Sequence, residues 1–211
     1  MSGEHRQEHV DIKGRLARAV RSNPLEWIQI ALAALNTLRC RYLLRCVGDG
    51  TVVGRGTKIV NFTNVAIGSG CFFQEYVYMR AGSEGYIRIG NDCAVNSFAK
   101  LFGHGGIEIG DRTQLGPACL ITTTHHDYQR EDLKPEFRKV TIGKGVWVGA
   151  NTLILPGVTI GDDCVIGAGS VVTRDIAGGS IAVGSPARVI KSKVEGTVIP
   201  GSSGPESAGG R

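Results

Sequence analysis

The chain has 211 residues, enough for one domain with appendages, and its 42% hydrophobic and 20% charged content is ordinary for a soluble protein. A formal charge of +5, with no Lys/Arg run attached to a nucleic-acid fold, discounts a nucleic acid as partner and suits a small polyanionic ligand. Glycine is abundant at 31 residues and aromatics are scarce at 6%, so many tight turns around small aliphatic side chains are expected.

The amino terminus, MSGEHRQEHVDIKGR, lacks an apolar signal core, which predicts a cytoplasmic protein. Asn23-Pro24 then reads as a helix start, with Asn as cap and Pro in the first turn. Leu25, Ile28, Leu32 and Leu35 recur at helical spacing, and Trp27, Ala31, Ala34 and Leu38 widen the stripe. Arg39, Arg41 and Arg45 come next, where positive charge complements a helix end. Glu26, Gln29 and Asn36 interrupt the apolar run, so a membrane span is not predicted. Residues 1–46 are therefore assigned to a helical extension that caps the neighbouring domain, with peripheral contact to a membrane surface as its second reading.

From Ile142 an aliphatic residue returns every six positions, at Val148, Ile154, Ile160, Ile166 and Val172, with Gly143, Gly149, Gly161 and Gly167 directly after four of them. The same beat runs upstream through Ile109, Leu115 and Ile121, through Ile89, Val95 and Leu101, and through Ile67, Phe73 and Met79. Each unit supplies one short strand and one turn, and three units close a triangular parallel coil whose aliphatic residues stack inward. Residues 47–190 form this all-β domain. Cys71, Cys93, Cys119 and Cys164 each fall four residues after an inward aliphatic, where other units hold Val146, Thr152, Val158 and Ser170. With Cys40 and Cys46 they show no paired spacing, so they are read as packing thiols without disulfides or metal. Residues 191–211, rich in Gly, Ser and Pro from Gly196, are predicted to be a disordered tail.

The beat breaks once, over a loop spanning 122–139 that begins Thr-Thr-Thr-His125-His126-Asp127-Tyr128 and becomes highly charged. A long non-repeating segment inside a regular array is usually functional. Imidazole titrates near neutrality, so both histidines are candidates for acid–base work.

The stretch from Ile89 to Ile190 resembles the hexapeptide-repeat O-acetyltransferases, which include the galactoside and maltose enzymes and those acting on bacterial surface polysaccharides. The shared elements are Ile109-Gly110-Asp111, the His-Asp-Tyr triplet at 126–128, Val146-Trp147-Val148-Gly149-Ala150, Pro156-Gly157-Val158-Thr159-Ile160-Gly161, Gly167-Ala168-Gly169-Ser170 and Gly184-Ser185-Pro186-Ala187-Arg188-Val189-Ile190. The resemblance implies a left-handed parallel β-helix, a homotrimer with active sites between subunits, and acetyl-CoA as co-substrate. It places the base at His126, fifteen residues after Asp111, and the Asn that helps position substrate or oxyanion at Asn96, fifteen residues before it. A one-residue slip would hand the base role to His125. The resemblance also sets Trp147, Ala150, Ala168, Thr173, Arg174 and Arg188 along coenzyme A, with no metal required. His104 stands where the galactoside enzymes carry an acidic acceptor contact, and Asp127 is grouped with it on the acceptor side, either orienting a catalytic imidazole or simply starting the loop.

The implied reaction is acetyl transfer to a sugar hydroxyl of a surface glycan or its precursor. An amino-sugar amine would use the same base. Two other classes stay open at this point: a zinc carbonic-anhydrase-like hydratase drawing on His104, His125 and His126, and a non-catalytic trimeric scaffold.

Overall fold

The computed structural model describes residues 24–43, 47–127, 132 and 134–192. Helix α1, Pro24–Leu43, is followed by a parallel β-solenoid of three faces. The first face stacks Val52–Val53, Phe72–Phe73, Ala94–Val95, Gln114–Leu115, Trp147–Val148, Val165–Ile166 and Ser180–Gly184. The second stacks Lys58–Val60, Tyr78–Ala81, Lys100–Gly103, Leu120–Thr122, Leu153–Ile154 and Val171–Val172. The third stacks Val65–Ile67, Ile87–Ile89, Ile107–Ile109, Val140–Ile142 and Thr159–Ile160.

The expected inward residues are the core. Val95, Leu115 and Val148 pair in register on the first face, and Leu101, Ile121 and Ile154 on the second. All six are buried. Trp147 pairs with Val165 eighteen residues on, the step of three six-residue units, while Phe72 pairs with Ala94 and so takes a longer step. Extra corner residues absorb that difference. Cys71, Cys93, Cys119 and Cys164 are buried free thiols at corners, as the small-residue pattern predicts. Cys46 and the proposed cap Asn23 lie outside the described residues.

Corners demand left-handed backbone. Asn, Asp and Gly adopt it cheaply, and Asn61, Asp92, Asn151 and Gly169 do so here. Tyr76 and Phe98 occupy the same conformation at φ 57° and 64°, which is costly for aromatic side chains. Their rings stack with centroids 5.5 Å apart, so each offsets part of the other's strain.

Acidic and amide side chains bind consecutive rungs together. Asp111 accepts the backbone N–H of Asn91, Asn91 accepts that of Ser69, and Asp162 accepts that of Lys144. The Asn91 N–H, helped by Lys144 and Arg112, holds the Asp111 carboxyl below its ordinary range. A carboxylate depressed by folding stabilises fully above its unfolded pKa of about 3.9, and that contribution is lost as pH falls through the folded value. Acid titration of unfolding is therefore expected to show a shallower loss of stability in Asp111→Asn than in the wild type below about pH 4.

Both ends carry a covering element. At the carboxy end Ser180–Gly184 turns back antiparallel on Ala187–Ser192, so Lys191 and Ser192, assigned from sequence to the tail, belong to a strand. Residues from 193 onward lie outside the described residues. At the amino end α1 lies across the first rung. Thr37 Oγ1 accepts the Val53 N–H at 2.9 Å, Asn36 Nδ2 donates to the Gly54 carbonyl at 2.8 Å, and Cys40 is buried. The stripe predicted at Ile28, Leu32 and Leu35 does not make this contact; it faces away and is exposed. No helix among the described residues is long and apolar enough to cross a membrane.

Candidate active site

The break in the beat is an antiparallel hairpin. Strand Thr124–His126 pairs with Pro135–Phe137, placing His125 opposite Glu136 and His126 opposite Pro135. The hairpin grows from the edge between the second and third faces. Its base is fixed because Thr123 Oγ1 accepts the Gly105 N–H at 2.8 Å and donates to the Phe102 carbonyl at 2.8 Å. A Cβ at Gly105 would come within 2.8 Å of the Arg138 backbone nitrogen, so only glycine admits the returning strand so closely.

His126 is exposed, whereas His125 and Asp127 are half-buried. Successive residues of a strand project to opposite sides, so the two imidazoles do not share one side of the hairpin. That geometry disfavours one tetrahedral ion held by both. Tyr128 lies outside the described residues.

His104 sits at the same edge, beside the hairpin base. Its Nδ1 is 3.5 Å from Thr124 Oγ1, and its ring stacks on Phe137 with centroids 5.8 Å apart. Burial, reinforced by the Arg80 guanidinium, pushes its pKa down and so favours the neutral imidazole. His104, Phe137, Glu84 and Ser83 line a hollow of about 260 Å³. Sequence reasoning missed Glu84, Ser83 and Phe137. Their only signal was proximity to corners whose stacking had to be known first.

The other expected site residues fall in separate places. Thr173 and Arg174 are exposed beyond the strand Val171–Val172, farther along the hairpin edge. Asn96, Ala150 and Ala168 lie instead at the corner between the first and second faces, at the opposite ends of the second-face strands. Asn96 Nδ2 donates to the Leu115 carbonyl at 2.8 Å, which fixes the amide and leaves its second N–H available. Trp147 projects from the first face and is 59% exposed. Arg188, on the terminal strand, is exposed, with Nη1 donating to the Ala187 carbonyl at 3.0 Å. One chain thus does not bring His126 and Asn96 together.

The described cysteines offer no better nucleophile. Burial pushes Cys119 up to about 12 and raises Cys164. A hydrogen bond with Cys93 draws Cys71 down to about 7, yet both thiols lie inside the coil.

A solenoid of six-residue units interrupted by a hairpin that carries two imidazoles defines a hexapeptide-repeat architecture. The profile described as "Bacterial transferase hexapeptide (six repeats)" matches residues 139–174. The chain is 31% identical to a maltose O-acetyltransferase from Clostridium difficile 630, covering 85% of this chain and 83% of that one, with a TM-score of 0.50. It is 36% identical to the galactoside O-acetyltransferase of Escherichia coli (strain K12) over 129 residues, 59% of this chain and 62% of that protein. Nodulation protein L of Rhizobium meliloti (strain 1021) is 46% identical over 111 residues, 51% of this chain and 56% of that protein. The chain therefore spans less than two thirds of the curated relatives' length. A mutant of AntD, an N-acyltransferase from Bacillus cereus, solved with a dTDP amino sugar and coenzyme A, shares the fold with a TM-score of 0.68 at 22% identity over 75% of this chain and 88% of that one. This protein belongs to the hexapeptide-repeat transferase family.

Proposed function

We propose that the protein is an acyl-CoA-dependent acyltransferase that moves an acetyl group to a sugar hydroxyl, in a site completed by two copies of a homotrimer. The observation that carries this reading is the placement of His126 on the hairpin that interrupts the solenoid, beside the hollow lined by His104, Phe137 and Glu84. An aromatic face beside a carboxylate and a hydroxyl is chemistry that suits a sugar ring. The separation of His126 from Asn96 along the second face supports a site shared between neighbouring protomers.

In this reading His126 takes the acceptor hydroxyl proton as the oxygen attacks the thioester carbonyl. The second N–H of a neighbouring protomer's Asn96 donates to the developing oxyanion. Collapse of the tetrahedral intermediate breaks the C–S bond, and the imidazolium returns its proton to the departing thiolate. Arg174 and Arg188 are placed toward the nucleotide phosphates, with Trp147, Ala150, Ala168 and Thr173 along the remainder of coenzyme A.

The test is release of free thiol from acetyl-CoA against a panel of glycans, nucleotide sugars and amino sugars. Thiol release that depends on a hydroxyl acceptor is expected. Release with amine acceptors alone would move the reaction to N-acylation, and no release with any acceptor, together with no thermal shift on adding coenzyme A, would leave a scaffold.

A further inference from the structure

We propose that the outer face of α1 docks on the surface of an anionic phospholipid bilayer, with the helix lying in the plane of the interface. The helix has two sides that do different work. One side, through Asn36, Thr37 and Cys40, closes the first rung. The opposite side carries Trp27, Ile28, Leu32, Leu35, Leu38 and Tyr42, with Leu35 64%, Leu38 62% and Tyr42 90% exposed. The helix lies over the open end of the solenoid, and Leu38, at the margin of this second side, borders an apolar groove against Phe72 and Phe73 of the first face, while Leu32, Leu35 and Tyr42 lie outside that groove.

Charge identifies the occupant. Between residues 12 and 45 the sequence has seven Lys and Arg (Lys13, Arg15, Arg18, Arg21, Arg39, Arg41 and Arg45) and one acid, Glu26, a net +6. The whole chain carries +5, so all the remaining residues together carry −1. In the sequence the basic residues thus cluster in and next to the element that exposes its aliphatic face; within the helix Arg39 is exposed and Arg41 pairs with Asp49 at 3.0 Å. A second copy meeting this face would bring two such cationic segments together, and like charges oppose that contact. An anionic bilayer satisfies both features at once, burying the aliphatic side at the headgroup boundary and pairing the cations with phosphates. Trp27 and Tyr42 stand near the two ends of the face, and amphipathic rings favour that boundary. A helix of 20 residues is about 30 Å long, yet it is not apolar enough to span, so it lies flat.

The experiment is cosedimentation of the full chain with phosphatidylcholine vesicles prepared with and without phosphatidylglycerol, alongside sedimentation velocity without lipid. Wild type is expected to sediment with anionic vesicles and to be released progressively by salt. Leu35→Glu/Leu38→Glu changes two positions that are already in solvent, so folding is retained, and its partition into the same vesicles is expected to fall at least about tenfold. Arg39→Glu, on an exposed position, should weaken binding severalfold to anionic vesicles alone. Failure of the wild type to sediment with either vesicle, or equal partition of the double variant, overturns the inference. So does a wild type whose lipid-free mass is two or three times that of the double variant, because another copy would then own the face. Neither assay depends on acyl transfer, so its failure leaves the enzymatic reading standing.

Discussion

Replacing His126 by alanine is expected to lower kcat by roughly 10²–10⁴, the usual contribution of a positioned acid–base group. Coenzyme A binding should be retained, since the base of the hairpin is fixed by the Thr123 bonds to Gly105 and Phe102. His125→Ala is the matched control. It sits one residue away on the other side of the same strand, opposite Glu136, and should keep most of the activity. Reversal of the two effects would move the base to His125, and equal retention would remove the site from the hairpin altogether. A second arm tests the shared site. His126→Ala and Asn96→Ala chains, each inactive alone, should recover up to about a quarter of wild-type activity when co-assembled at random, because about one interface in four then joins an intact His126 to an intact Asn96. No recovery on mixing would place both groups in one chain, against their positions at opposite ends of the second face.

The largest expected stability effect comes from Leu115→Ala. Leu115 is fully buried and lies in register between Val95 and Val148, so the solenoid cannot collapse locally without shifting two rungs. Truncation should cost about 2–5 kcal/mol. For a domain of this size each kcal/mol lowers Tm by roughly 2–4 °C. Gln114→Ala, on the outward position beside it, should stay within about 0.5 kcal/mol. Thermal melts of the pair at matched protein concentration decide the matter, since assembly makes Tm concentration-dependent. A similar Tm for the two variants would mean that Leu115 is not a column residue of the core.

The inward residues were legible in the sequence because a column contact needs only one residue type repeated at a fixed interval. Ile142, Val148, Ile154, Ile160 and Ile166 declare themselves without any long-range information. The corner thiols emerged from the same register. The surroundings of the site did not. His104, Glu84 and Phe137 come from three separate segments, and their meeting depends on corner residues that lengthen some rungs beyond three units. The hairpin was readable as an interruption, but its strand pairing rests on local contacts among Thr123, Gly105 and Arg138 that no periodicity encodes. For α1 the apolar residues were identified, yet periodicity could not say which side would meet the coil. The polar pair Asn36 and Thr37 was chosen because the first rung exposes backbone donors and acceptors that Leu cannot satisfy. Tyr76 and Phe98 ran against local preference, and their mutual stacking, with the Arg55 guanidinium over the Tyr76 ring, accounts for them.

The antiparallel return of Ala187–Ser192 over Ser180–Gly184 has a consequence for assembly. A stack of parallel rungs ends in a row of unpaired amides and carbonyls, and another molecule could add to that row indefinitely. By reversing direction, the final segment presents an outermost strand that a further parallel rung cannot simply continue. On the first face the reversal is thus also a guard against end-to-end fibre growth, a hazard intrinsic to any architecture made of identical layers.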